Sequence, residues 1–174
     1  MSMLAYAAQF TADLGDLWAN ADANTTVYDT ADLIEDFWGN CEVTGYPQPA
    51  NQTNVIPQSS YAGFAVIEQP LASHTPAIAA QAFETGLTAL CIQTTFVLVA
   101  PPSAVPPTAP LPGGAATPGL LTTALTAIFT QGAAEGASTP TAPLVAAEII
   151  KFLNGWICNV LIPPATSPVP IPII

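Results

Sequence analysis

The side chain best suited to act as a base near neutral pH is His74, the one imidazole in 174 residues, and it stands in Ser73-His74-Thr75-Pro76. A small hydrolase would need that ring beside a nucleophile such as Ser73, Cys91 or Cys158, with a third group to orient it. No Gly-x-Ser-x-Gly elbow occurs, and a histidine just before a helix start reads as a capping or loop-surface residue. Paired carboxylates for glycoside chemistry could come from Asp29, Asp32, Glu35 and Asp36. At helical spacing on a short segment they read instead as the solvated face of a helix. Gly113-Gly114 lies in a proline loop rather than between a strand and a helix, so it carries no phosphate-binding signal. Asp29-Thr30-Ala31-Asp32 is too sparse for calcium, and Cys41, Cys91 and Cys158 match no metal spacing. The three cysteines read as buried thiols acting as small hydrophobes, with one disulfide plus a leftover thiol as the alternative. The sequence thus predicts a non-enzyme with no catalytic, cofactor-binding or metal-ligating residue.

Composition points the same way. The chain is 51% hydrophobic and only 7% charged, with 12 acidic residues, a single cation and a net charge of -11; soluble domains usually carry about 25% charged residues. Gripping a nucleic-acid backbone takes several Lys or Arg, and one, Lys151, is present. Nucleic acid is therefore excluded as a partner, and an anionic membrane surface on the same ground. Leu87 to Ala100, the apolar part of the uncharged stretch from Thr85 to Ala134, is shorter than the ~20 residues of a spanning helix. It runs into Pro101-Pro102 without basic flanks, so no membrane span is expected. Met1 to Phe10 does not read as a secretory signal. Such a chain is either used without Sec export or has already lost a leader. Two sequons, at Asn24 and Asn51, matter only on a glycosylating route.

Eight of the twelve acids fall within residues 1–42. There Leu4, Ala7, Ala8, Phe10, Thr11, Leu14, Leu17 and Trp18 keep the spacing of one helical face. A second helix is expected from Thr30 as N-cap to about Gly39, with Leu33, Ile34, Phe37 and Trp38 as its stripe and Asp32 near the positive end of its dipole. Residues 43–60, rich in Pro, Asn and Gln, read as a loop or arm, and Tyr61 to Glu68 as strand or short helix. Thr75-Pro76 then opens a helix carrying Ile78, Ala79, Ala82, Phe83, Leu87, Leu90 and Cys91. It passes into the strand-like Thr94 to Val99 and stops at Pro101-Pro102.

The same order recurs. Pro143 opens a helix with Val145, Ala146, Ile149, Ile150 and Leu153 inward, followed by the Ile157 to Ile162 run and Pro163-Pro164. Pro76 to Phe83 and Pro143 to Ile150 share the form Pro-x-β-branched-Ala-Ala-Gln/Glu-x-apolar. Aligning the helices and aligning the strands gives offsets that differ by about one helical turn, as a duplicated helix-to-strand unit that lost a turn would; chance convergence is the alternative. Between the units, residues 101–118 hold seven prolines, including Pro101, Pro102, Pro106, Pro107 and Pro110. Such a stretch favours extended geometry and loses little entropy on ordering. Thr117-Pro118 is expected to cap another helix, with Leu120, Leu121, Leu125, Ile128 and Phe129 apolar, ending near Gly132. The tail, 165–174, alternates Pro168, Val169, Pro170, Ile171, Pro172 and ends in Ile173-Ile174. It cannot be helical, and its aliphatic side chains need a groove on the same domain or on a neighbour.

The expected fold is α+β: a single domain over 1–174, mostly helical, with a small sheet from Thr94 to Val99 and Ile157 to Ile162 and a third strand from Tyr61 to Ile67. Residues 61–164 are its helix/strand core. Phe83, Leu87, Leu90, Val97, Val99, Leu125, Ile128, Ile149, Leu153, Trp156 and Leu161 are expected inside. Contacts between subunits are expected at the proline-rich loop, at the tail residues Pro168 to Ile171, Ile173 and Ile174, and at the arm carrying Tyr46, Pro47, Pro49 and Ile56.

An acidic helical chain with an Ala-rich helix, a Thr/Val strand ending in Pro-Pro, a Gly/Pro loop and a second such helix, here Thr75 to Pro164, resembles virion structural proteins of tailed bacteriophages. The resemblance implies a non-enzymatic structural subunit of a capsid surface, neck, tail or baseplate; the expected partners are other virion or assembly proteins and further copies of the chain in a homo-oligomer. The shortage of cations places it away from packaged DNA. An extracellular filament or surface-layer subunit would suit the same composition and the two sequons.

Overall fold

The computed structural model describes residues 3–20, 27–41, 55–57, 75–96, 109–110, 114–135, 141–160 and 169–173. Among these residues five helices dominate: α1 (Met3–Ala19), α2 (Val27–Gly39), α3 (Pro76–Gln93), α4 (Leu120–Glu135) and α5 (Ala142–Leu153). Five short strands join them: β1 (Val55–Pro57), β2 (Thr94–Phe96), β3 (Ala109–Pro110), β4 (Trp156–Val160) and β5 (Val169–Pro172). The fold is α+β and mostly helical. The helix α1 packs on α2 and α5, and α4 on α3 and α5. A core drawn from all five helices includes Phe10, Leu14, Trp38, Phe83, Leu87, Leu125, Ile149 and Trp156.

The helices form where apolar residues recur every third or fourth position. In α3 the buried set is Ala79, Ala80, Ala82, Phe83, Leu87, Leu90 and Cys91. Ile78, which keeps the same spacing, is instead about half exposed. Of the expected core, Ile128 is only partly buried, and Val97, Val99 and Leu161 lie outside the described side chains.

Two expected helix starts are corrected. The helix α2 begins at Val27, so Thr30 sits within its first turn, buried, and its Oγ1 accepts a hydrogen bond from Trp18 Nε1 (3.2 Å). The hydroxyl pins α2 to the end of α1 instead of capping its own helix, and Asp29, not Asp32, occupies the first turn. At α4, Thr117 Oγ1 donates to Gly114 O (2.7 Å). The cap comes from α3: Glu84 Oε1 accepts from Gly119 N–H (2.6 Å), and Oε2 accepts from Thr122 N–H and Thr122 Oγ1 (both 2.7 Å). A carboxylate at a helix start satisfies orphan amides and meets the positive end of the dipole. The helix continues three residues past Gly132, to Glu135.

Replacing Glu84 by Ala strands those donors, and hydrogen bonds to a charged acceptor contribute about 1.5–3 kcal/mol. Water reaches the part-buried site, so a loss of roughly 1–2 kcal/mol is expected. Chain length translates that into a melting temperature lower by roughly 2–8 °C, with Glu84→Gln retaining part of it. Thermal unfolding followed by circular dichroism measures this, and an alanine variant that melts with the parent would remove the cap from the list of stabilising contacts.

The expected single sheet is two. β2 pairs antiparallel with β1, Ile56 opposite Thr95, while β4 lies between β3 and β5 in a separate antiparallel sheet. α3 passes directly into β2 and α5 reaches β4 through a two-residue turn, as the repeated order suggested, but the two strands pair with different neighbours. α5 is the shorter helix, 12 residues against 18 for α3. The expected third strand, Tyr61 to Ile67, lies outside the described residues. Part of the expected arm, Val55–Pro57, is a strand, because β-branched Val55 and Ile56 suit a ladder. Pro110, expected in an open loop, is in β3 opposite Trp156.

Within the tail, Val169–Pro172 is a strand of the chain's own sheet. Ile173 N–H donates to Trp156 O (3.4 Å). Backbone groups in an antiparallel ladder face one neighbour at every second residue. Ile171 and Val169 therefore face β4, as Ile173 does, whereas Pro170 and Pro172 turn their nitrogens outward. Trp156 faces β5, so Pro110 opposite it also turns away from β4. The prolines of both outer strands stand where a missing N–H costs the ladder nothing.

Candidate functional site

α1 and α2 lie against one another and leave an open groove of about 140 Å³ along their seam. Its floor is apolar. Phe10 and Phe37 stack there with centroids 4.6 Å apart and planes 25° apart, flanked by half-buried Tyr6 and Leu33. Each helix adds one acid and one amide to the rim: Gln9 and Asp13 from α1, Asp36 and Asn40 from α2. Both pairs are four residues apart, which brings them together on one helical face. Gln9 Nε2 donates to Asp13 Oδ1 (2.6 Å), and Asn40 Nδ2 donates to the Asp36 backbone carbonyl (2.7 Å). The amides thereby orient the rim without neutralising it. The chain's one lysine is on α5, where Lys151 Nζ lies 3.3 Å from Glu148 Oε2.

A groove of this kind offers an aromatic base and two carboxylates from opposing helices, which suits an apolar stem ending in a positive charge. The sequence carried a signal for it. Phe10 and Phe37 each sit beside an acid-and-amide pair at the same spacing. Reading Asp36 only as part of a solvated face missed the seam, because nothing local shows which helix lies alongside.

A second groove, between α3 and α4, is lined by Gln81, Glu84, Thr85, Thr88, Gly119 and Thr122. Its carboxylate is the α4 cap, and the Thr85 hydroxyl donates to Gln81 O (2.8 Å). That groove is therefore structural. Cys41 and Cys91 are buried thiols; burial, reinforced by the neighbouring Cys41, pushes the Cys91 thiol well above its ordinary value. Cys91 accordingly stays protonated at neutral pH, the opposite of an activated nucleophile. Cys158 lies in β4.

Of the expected contact residues, Tyr46, Pro47, Pro49, Pro101, Pro102, Pro106, Pro107, Pro168 and Ile174 lie outside the described residues, as do Ser73 and His74. Ile56 is in β1 and Pro110 in β3. Val169 and Pro170 are exposed on β5, Ile171 is partly buried, and Ile173 is fully buried in the chain's own core. The groove the tail needed is therefore supplied at Ile173 by the same chain. Exposed aliphatic side chains lie elsewhere: Ile78 and Ile92 on α3, Leu120 on α4 and Leu144 on α5. Among the described residues no helix is long and apolar enough to cross a membrane, and no three His, Cys, Asp or Glu are grouped to hold a metal. No family model matches the chain, and no curated protein or solved structure is significantly similar to it.

Proposed function

We propose that this chain is a non-enzymatic structural subunit of a multi-protein assembly, acting through protein contacts. The form we favour is a virion component of a tailed bacteriophage, on the capsid surface, neck, tail or baseplate. The observation that carries the reading is the kind of surface the fold presents. Ile78, Ile92, Leu120, Leu144 and Val169, on four different elements, are each between 43% and 54% exposed, on a chain with one cation and only 7% charged residues. Aliphatic groups left half in water gain from burial against another protein, at roughly 25 cal/mol per Å². Little charge has to be desolvated to bring that about.

Light scattering coupled to size exclusion, with electron microscopy of the same fractions, tests this on the full chain. Defined oligomers, or co-purification with particles, are expected. A monomer at every working concentration that also joins no particle would overturn the proposal. Glycan mass at Asn24 or Asn51 would move the assembly to an extracellular filament or surface layer.

A further inference from the structure

The groove between α1 and α2 has an acidic rim beside which the described residues place no cation, and this points to what would fill it. Asp13 and Asp36 face it from opposite helices above the Phe10–Phe37 stack. No hydrogen bond reaches the Asp36 carboxylate among the described residues. The whole chain has one cation, Lys151, held near Glu148 on α5. A second copy of the chain would bring the same deficit and eleven more net negative charges. The complement is therefore a different protein.

We propose that this groove docks an arginine side chain, flanked by apolar residues, from a heterologous protein partner. Arginine fits better than lysine for two reasons. Its planar guanidinium can take a carboxylate on each side, and it stacks on aromatic faces, here the half-buried Tyr6 beside the phenylalanines. The groove, about 140 Å³ and open to solvent, has room for one long side chain to enter. The acidic field of the chain would also speed the encounter with a basic partner. The inference deepens the assembly reading and relies on it only in taking the occupant to be part of a protein.

The test uses the full chain and a synthetic peptide, acetylated and amidated, of alternating leucine and arginine, with a citrulline version as its uncharged isostere. Titrations are followed by ¹H–¹⁵N NMR. The arginine peptide is expected to shift the amides around Tyr6, Phe10, Asp36 and Phe37, and to bind at least tenfold more tightly than the citrulline peptide. Asp13→Asn combined with Asp36→Asn should abolish that preference. Glu135→Gln combined with Glu148→Gln changes net charge equally at a distance and should leave affinity within twofold. Three results would each overturn the inference: equal binding of the two peptides, shifts centred elsewhere, or equal loss in both double variants. Because the peptide comparison uses the unaltered protein, it stands whatever the variants' folding. Arginine-selective docking on a chain that stays monomeric would uphold this inference while removing homo-oligomeric assembly.

Discussion

Truncating Phe83 to alanine is expected to destabilise the protein by about 3–5 kcal/mol, the range for removing a fully buried aromatic ring. The ring is 0% exposed and lies on the face of α3 that meets α4. There its centroid is 5.8 Å from that of Phe129, with planes tilted by 48°. Such a pair contributes about 0.5–1.5 kcal/mol beyond the area it buries. Domains are stable by only about 5–15 kcal/mol in all, and at this chain length the variant should melt roughly 6–20 °C below the parent. Thermal and urea unfolding would measure the loss. A change under 1 kcal/mol would mean that the α3–α4 contact is much looser than its burial indicates.

The second large effect is expected from one added methyl. Gly155 links α5 to β4, and a Cβ built there would lie 2.6 Å from Ala116 N, 3.1 Å from the Ala116 Cβ and 3.1 Å from Phe152 O. Two of those three atoms are backbone, so no side-chain rotation relieves the overlap. The turn at 114–119 would have to retreat, and with it the start of α4 that Glu84 caps. Overpacking of this kind costs about 1–3 kcal/mol, occasionally more, and the upper end is expected for Gly155→Ala. Gly15 is the control. It lies inside α1 with nothing within 4 Å of its would-be Cβ, so Gly15→Ala should stabilise by about 0.5–1 kcal/mol through helix propensity. Chemical unfolding of the two variants side by side should give opposite signs; two losses of similar size would point to a general intolerance of alanine rather than to the close approach at Ala116.

What the sequence made legible was local. The three-and-four spacing of Phe10, Leu14, Leu87, Leu90, Val145 and Ile149 located helices, and Pro76 and Pro143 marked two starts, because a helix must bury one face and a proline is harmless in its first turn. The partners of a side chain were not legible when they came from far along the chain. Glu84 caps amides 35 and 38 residues away, and Thr30 serves Trp18 on another helix, so the nearest hydroxyl in sequence was the wrong expectation at both starts. Sheet pairing failed for the same reason. Strand-like runs can be recognised alone, but which runs share a ladder depends on how the helices before them dock. The candidate groove is intermediate, since its residues were visible on each helix while their meeting was not.

The prolines of β3 and β5 have a consequence for crowding. An outer strand rich in free N–H groups invites a neighbour to hydrogen-bond alongside it, and repeated copies can then knit into a fibre. At Pro110, Pro170 and Pro172 that invitation lacks its donors, so strand-to-strand growth finds no complete set of bonds to make. Many copies could be packed at high local concentration, touching through side chains alone, without their sheets fusing into one another.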